Sequence, residues 1–285
     1  MCPLNKELQL SRHIEDLLVA RNLRGMAQIQ PALQPGYVQR SAKALYQAEG
    51  KILIGTGFWV AGTFETDGPV GAIALYLALK ALGKEPVLVC GNPLYSKLSE
   101  DFNCFQLPLN DLPQAKLLAQ QYFATEQVGC VLAIERPGLN QQGGYCNMRG
   151  EDISHGCASF DPFIETAPCT SIAIGDGGNE IGMGKVASAL SQLDIIPSIT
   201  SCDELIVADV SNWGAYGLIA FFALWQQEDM LAVIDPPHWL AYLSKHGSVD
   251  GVTKRNEATE DSLDATHAQA VITELRRLTG FLPTE

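Results

Sequence analysis

The chain has 285 residues, of which 47% are hydrophobic and 18% are charged, and its formal net charge is −13. This composition predicts a globular protein with a large core, and an acidic chain without a Lys/Arg-rich block is not expected to bind nucleic acid. The longest apolar stretch, 213–225, is too short and too often interrupted by glycine to span a bilayer, so no membrane partner is expected. The N-terminus has no continuous apolar segment, which makes the cytoplasm the expected location.

Helix-like and strand-like segments alternate along the chain. An apolar face at helical spacing near the N-terminus predicts that residues 1–48 form a helical segment packed on a sheet. β-branched or apolar runs that end in glycine or an acid predict strands at 51–57, 86–90, 129–135, 171–175 and 204–209. Amphipathic or apolar helical patterns follow at 70–83, 113–126, 213–227 and 263–280.

This alternation predicts the fold class. Strands separated by helical segments are typical of α/β proteins in which each helix crosses over to a parallel strand. We expect a doubly wound, mostly parallel sheet with helices on both faces, as in three-layer, Rossmann-like folds. No linker or internal repeat divides the sequence, so residues 1–285 are predicted to form a single domain.

A glycine-rich block, GDGGNEIGMG at 175–184, follows the predicted strand 171–175. Glycines weaken any helix or strand that they interrupt, so the block predicts a loop at the carboxyl end of the strand, where open α/β sheets bind ligands. It is not a Walker loop, because Asn179 and Val186 occupy positions that require Gly and Ser or Thr. A dinucleotide fingerprint fits no better, so no nucleotide cofactor is expected.

Acidic residues recur where the predicted strands end. Parallel strands place these ends at one edge of the sheet, which predicts that the following acids converge: Glu65, Asp67, Glu135, Asp176, Glu180 and Asp209. Like charges at close range repel one another unless protons or a cation intervene. Hard divalent cations prefer oxygen ligands, so the array predicts a Mg²⁺ or Mn²⁺ site. For each acid taken singly, a solvated turn residue or a helix cap is the alternative.

Six segments together resemble the D-glutamate cyclase family, in its C-terminal domain type. They are GTGFWVAGTFETDGPVGAIAL, ERPG, YCNMRGEDIS, IAIGDGGNEIGMGKV, VADVSNWGAYGLIA and VDGVTKRNE, and they lie within 15–257. The resemblance implies a lyase that closes D-glutamate to 5-oxo-D-proline with loss of water, and it leaves a homo-oligomer open. A non-catalytic or nucleotide-dependent small-molecule-binding protein of the same fold is the alternative. One position departs from the family pattern, because Ser262 follows Asp261 where a glycine is expected.

The resemblance also implies roles for individual residues. Metal ligands are expected at Glu65, Asp67, Asp176 and Glu180, and catalytic groups at Asp176, Glu180 and Asp209. Substrate contacts are expected at Gly177, Gly178, Asn179, Arg136, Asn147, Arg149 and Asn212. The two glycines would present N–H groups to a substrate carboxylate, and the two arginines would pair with carboxylates. A structural ion pair remains the alternative for each arginine, and a helix N-cap remains the alternative for Asn212.

Overall fold

The computed structural model describes residues 3–283, and residues 1, 2, 284 and 285 of the predicted domain lie outside this description. The strands are β1 Lys51–Thr56, β2 Trp59–Val60, β3 Thr63–Phe64, β4 Glu85–Cys90, β5 Cys104–Gln106, β6 Val128–Ile134, β7 Thr170–Gly175, β8 Glu204–Val207, β9 Thr259–Glu260 and β10 Leu263–Asp264. The helices are α1 Pro3–Leu18, α2 Met26–Ile29, α3 Tyr37–Gln47, α4 Pro69–Ala81, α5 Leu94–Leu98, α6 Leu112–Thr125, α7 Asp161–Glu165, α8 Ala187–Leu190, α9 Ser211–Gln226, α10 Pro236–Lys245 and α11 Ala265–Leu278.

The central sheet is parallel and has the order β5-β4-β1-β6-β7-β8. From β1 in the middle, the chain builds outward to β4 and β5 on one side, and then to β6, β7 and β8 on the other. This order confirms the predicted doubly wound fold. The direction of winding changes between β1 and β6, where Thr56 pairs with Ile134 at the carboxyl ends of the two strands. Ligands of open α/β sheets bind in the crevice beyond such a switch point.

Helices cover the sheet and confirm the three-layer arrangement. Helices α4 and α9 pack on each other and on the sheet together with α3, while α6 and α7 pack together and α7 contacts β6 and β7. The strands and helices predicted from the sequence are all present, and the last central strand ends at Val207, two residues early. The short edge strand β5 and the helix α10 were not predicted. Within 3–283, no helix is both long enough and apolar enough to cross a membrane.

Two buried polar side chains join the starts of α4 and α9. The Asp67 carboxylate accepts hydrogen bonds from the N–H groups of Ser211 at 2.9 Å and Asn212 at 2.8 Å, at the start of α9. The Asn212 amide oxygen accepts from the N–H groups of Gly68 at 2.9 Å and Gly71 at 2.6 Å, at the start of α4. Each side chain thereby satisfies N–H groups of the opposite helix that have no intrahelical acceptor. The exchange fixes Asp67 at the switch point.

Replacing Asn212 with Ala removes the acceptor of the buried Gly71 N–H and the amide donor to the buried Glu260 carboxylate. The Gly68 N–H keeps Asp67 Oδ1 as an acceptor at 2.8 Å. Because each unsatisfied buried group costs about 1–3 kcal/mol, we expect the free energy of unfolding to fall by about 3 kcal/mol or more. Urea denaturation measures this change. The control is Gln120→Ala on the exposed face of α6, which is expected to change the free energy of unfolding by less than about 0.5 kcal/mol. Equal stabilities of the two variants would contradict the capping role of Asn212.

Candidate functional site

A cavity of about 590 Å³ opens beyond the carboxyl ends of β6 and β7 and beside the loops that follow β1. We call its buried acidic part the floor, which is lined by Glu65, Glu135, Asp176, Glu180 and Asp261. We call its exposed charged part the mouth, which is lined by Arg149, Glu151, Asp152 and Lys254. The volume falls in the range of small-molecule sites, about 300–1,000 Å³. The sheet therefore places a ligand-sized cavity at its switch point, with carboxylates at the bottom.

Three buried carboxylates at this edge approach one another closely. Oxygen atoms of Asp67, Glu135 and Asp176 lie within 4.8 Å of one another, and we call these residues the triad. Glu135 directly follows β6, Asp176 directly follows β7, and Asp67 follows the β2–β3 hairpin. Three carboxylates at this spacing fit the donor set of a hard divalent cation. Of the other two predicted ligands, Glu65 and Glu180 line the floor beside the triad.

The sequence did not predict Glu135 as a metal ligand, although Glu135, like Asp176, directly follows a strand. Its backbone φ is 46°, in the left-handed region, and its carboxylate accepts a hydrogen bond from the Ser211 hydroxyl at 2.6 Å. Strain of this kind in a non-glycine residue is typical of functional sites. The tertiary structure therefore adds Glu135 to the residues that could hold a cation.

Burial and mutual repulsion raise the pKa values of the triad. Burial, together with the neighbouring Asp261 and Glu260 carboxylates, raises the pKa of Asp67 to about 8. Burial also raises the pKa of Glu135 well above its usual value, with Glu180 as the next cause. For Asp176, burial raises the pKa more than the nearby Arg24 lowers it. Repulsion among these groups can be relieved by protons, or by a bound cation.

One arginine that sequence reasoning missed reaches into the floor. The Nη2 atom of Arg24 donates to the carboxylates of Asp176 and Asp261, and to the Asp209 carbonyl at 3.2 Å. Burial lowers the pKa of Arg24, but the two carboxylates raise it more, so the pKa lies well above its ordinary value. No motif surrounds Arg24 in the sequence, because the chain brings it to the site only through the packing of the N-terminal segment.

Asp209, a predicted catalytic residue, holds the turn that carries Arg24. Its Oδ2 accepts from the N–H of Arg21 at 2.7 Å, and its Oδ1 accepts from the N–H of Leu23 at 3.1 Å. The backbone N–H of Asp209 in turn donates to the Leu18 carbonyl at 2.7 Å, at the end of α1. Its side chain is buried and is not among those that line the cavity. The structure therefore places Asp209 behind Arg24 and away from the triad.

The glycine-rich block wraps around the Glu180 carboxylate. The N–H of Gly178, at a φ of 113°, donates to Glu180 Oε2 at 2.7 Å. Burial raises the pKa of Glu180, and the N–H groups of Gly178, Glu180 and Gly177 lower it to a smaller extent. The Gly178 N–H was expected to bind a substrate carboxylate. In this structure it binds the Glu180 carboxylate instead. Asn179 lines the cavity, donates to the Cys146 carbonyl at 3.0 Å, and keeps a buried Oδ1 that has no partner within 3–283.

The remaining predicted contacts divide between the cavity and the core. Arg136 is buried outside the cavity, where its Nη1 donates to the Thr56 carbonyl at 2.7 Å and its Nη2 donates to the Ala158 carbonyl. Burial lowers the pKa of Arg136. Arg149 is exposed at the mouth, where Asn147 also lies and accepts from the Arg149 N–H at 2.9 Å. Asn212 belongs to the helix caps described above.

The Ser262 position, where a glycine was expected, has a backbone that favours glycine. The φ of Asp261 is 50° and that of Ser262 is 64°, a conformation that costs non-glycine residues about 1–3 kcal/mol. The buried Asp250 stabilises this loop, because its Oδ2 accepts from the Ser262 N–H at 2.7 Å and from the Thr259 hydroxyl at 2.7 Å. The loop therefore keeps its shape without the glycine, and Asp261 still reaches Arg24.

Glu260 lies behind the floor in a buried polar pair with Trp213. The indole N–H of Trp213 donates to Glu260 Oε1 at 2.7 Å, and the Asn212 amide donates to Oε2 at 2.6 Å. The pKa of Glu260 is raised to about 7, because burial and the nearby Asp261 and Asp250 carboxylates raise it more than the two hydrogen bonds lower it. Glu260 therefore titrates near neutral pH in the folded protein.

We expect the Trp213 indole N–H resonance to shift with a midpoint near pH 7 as Glu260 ionises. The folded pKa of Glu260 exceeds the unfolded value of about 4.3, so proton binding by Glu260 stabilises the fold. This contribution is complete below about pH 4.3 and is lost as the pH rises through about 7. Glu260→Gln should abolish the shift and reduce the fall in unfolding free energy between about pH 5 and pH 8. Trp213→Phe assigns the resonance by NMR, and a resonance that stays fixed across this range would contradict the prediction.

Known proteins resemble the chain in sequence and, more distantly, in structure. The family model described as D-glutamate cyclase-like, C-terminal, matches residues 14–276. D-glutamate cyclase, mitochondrial, from Homo sapiens is 34% identical over 177 residues, which cover 54% of this chain and 29% of that protein. A solved structure of an exopolyphosphatase-related protein from Bacteroides fragilis has a TM-score of 0.43 and 8% identity, over 88% of this chain and 62% of that chain. Since the family model spans nearly the whole chain, this protein belongs to the D-glutamate cyclase-like, C-terminal family.

Proposed function

We propose that this protein is a metal-assisted lyase that converts D-glutamate to 5-oxo-D-proline and water. The observation that carries the proposal is the buried triad of Asp67, Glu135 and Asp176 at the sheet switch point of a D-glutamate cyclase-like chain. A Mg²⁺ or Mn²⁺ ion held by these residues would supply a Lewis acid for a carboxyl oxygen. The curated relative supports the same reaction class, although the matched region spans 29% of its length.

The reaction forms one bond and breaks another within the same molecule. The α-amino nitrogen of D-glutamate bonds to the γ-carboxyl carbon, and one γ-oxygen leaves as water. Both protons of that water come from the substrate ammonium group, so the site needs a group that accepts a proton and returns it. A cavity that holds the substrate folded also favours ring closure, because the reacting atoms start close together.

Glu180 fits the proton-transfer role. It lines the floor, and its carboxylate is fixed by the Gly178 N–H at 2.7 Å. Burial raises its pKa, and a carboxyl group with a raised pKa exchanges protons closer to neutral pH than an ordinary one. We assign proton transfer to Glu180 and cation binding to Asp176. Asp209 positions Arg24 from behind the floor.

The metal role predicts a specific loss of binding. In calorimetry of metal-stripped protein, wild type should bind Mn²⁺ or Mg²⁺, and the double variant Glu135→Gln with Asp176→Asn should not. Bound metal should also stabilise wild type, by about 2.7 kcal/mol at a metal concentration 100 times the Kd. Glu151→Gln removes a carboxylate from the mouth of the same cavity and serves as the matched control. Equal binding by the wild type and the double variant would refute the metal role of the triad.

The lyase activity is tested by chromatography for 5-oxoproline after incubation with D-glutamate or L-glutamate and either metal ion. We expect product from D-glutamate. Because a positioned acid–base group typically contributes about 100-fold or more to the rate, Glu180→Gln should lower kcat by at least that factor. Glu151→Gln should retain activity. That result would show that the loss of activity in Glu180→Gln does not follow from the change in cavity charge alone. Absence of product with wild type and both metals would overturn the proposed function.

A further inference from the structure

A dicarboxylate substrate meets an electrostatic barrier in this cavity, since the floor already holds buried carboxylates. The cationic side chains that line the cavity within the described residues are Arg24, Arg149 and Lys254. Arg149 and Lys254 are exposed at the mouth, where water weakens an ion pair. The Arg24 side chain is only 17% exposed and lies at the floor next to the triad. Arg24 is therefore placed to pair strongly with a bound anion.

Part of the Arg24 guanidinium group is already committed to the protein. Its Nη2 donates to Asp176, Asp261 and the Asp209 carbonyl, and its Nε donates to the Asp176 carbonyl at 3.4 Å. Its Nη1 makes no hydrogen bond to any residue of 3–283. This atom is also not fully buried. Nη1 thus keeps its N–H donors and some accessible surface in a side chain that lines the cavity.

We propose that Arg24 binds the α-carboxylate of the substrate through the free N–H groups of Nη1. This assignment rests on the function proposed above. The α-carboxylate keeps its negative charge throughout ring closure, so it needs a permanently charged partner, and a guanidinium group provides one. The γ-carboxyl group loses an oxygen, and so it faces the triad. The substrate is then held at both ends, with its amino group between them.

The support behind Arg24 suits this role. Asp209 fixes the turn through the N–H groups of Arg21 and Leu23, and Asp176 and Asp261 hold Nη2 from two further segments of the chain. A guanidinium group held in this way loses little additional freedom when it binds a ligand. The same contacts leave Nη1 as the unoccupied end. Arg24 thereby acts as a specificity determinant that no local sequence motif marks.

Calorimetry with three ligands tests this proposal: D-glutamate, D-isoglutamine, in which the α-carboxylate is an amide, and D-glutamine, in which the γ-carboxylate is an amide. All titrations contain Mn²⁺, and every protein titrated, including the one compared as wild type at position 24, carries Glu180→Gln, which slows ring closure so that the heats report binding. Wild type should bind D-glutamate about tenfold or more tightly than D-isoglutamine, because a charge-assisted hydrogen bond is lost with the amide. In Arg24→Lys and Arg24→Gln that ratio should fall towards unity. The ratio of D-glutamate to D-glutamine should stay as in wild type, since it reports on the γ-carboxyl end.

Lys254→Gln at the mouth is the matched control, and it should leave both ratios unchanged. Arg24→Lys keeps the charge beside Asp176 and Asp261, so it remains informative if Arg24→Gln does not fold. The proposal is overturned if the α-carboxylate preference persists in the Arg24 variants, or if wild type binds none of the three ligands. Binding is measured in the Glu180→Gln background and turnover in the wild type. Discrimination as expected without 5-oxoproline formation would therefore support the role of Arg24 and contradict only the proposed reaction.

Discussion

Repulsion among carboxylates buried at the carboxyl edge of the sheet is the constraint on which the rest of the site depends. Burial removes the water that would screen these charges, so each needs a hydrogen-bond donor, a proton or a cation nearby. Protein donors serve several of them. The pairs of carboxylate and donor are Asp67 with the start of α9, Glu135 with Ser211, Glu180 with Gly178, Glu260 with Trp213, and Asp176 and Asp261 with Arg24.

These donors come from parts of the chain that are far apart in sequence, so the site and the fold are coupled. Asp67 and Asn212 exchange hydrogen bonds between the starts of α4 and α9 over more than 140 residues. Arg24 and Asp261 meet from the N-terminal turn and the C-terminal hairpin. A substitution that loosens α1 or the β9–β10 hairpin should therefore alter the charge balance of the floor without touching any residue of the triad.

Arg136 and Arg24 have different roles because their hydrogen-bond acceptors differ. Arg136 donates to the carbonyls of Thr56 and Ala158, which satisfies backbone at the switch point and leaves its charge inside the core. Arg24 pairs with carboxylates and retains free donors beside the cavity. Residue type and proximity to a motif favoured Arg136 and Arg149 as the ligand contacts. The local acceptors make Arg24 the stronger candidate, since an arginine bound to carbonyls has fewer donors to offer a substrate.

The sequence by itself determined the fold class, the main strands and helices, and the edge at which the acids gather. These features depend on local periodicity and on the rule that parallel strands end together, and both are written in short segments such as 171–175 and 51–57. It also marked the family, through the order of its glycine-rich and acidic segments. Only the tertiary structure decided which acids approach one another, because Glu135 joins Asp67 and Asp176 while Asp209 turns towards the backbone of Arg21. It alone brought Arg24 to the floor, since the packing of α1 against the rest of the chain, and not any local pattern, sets where that side chain lies.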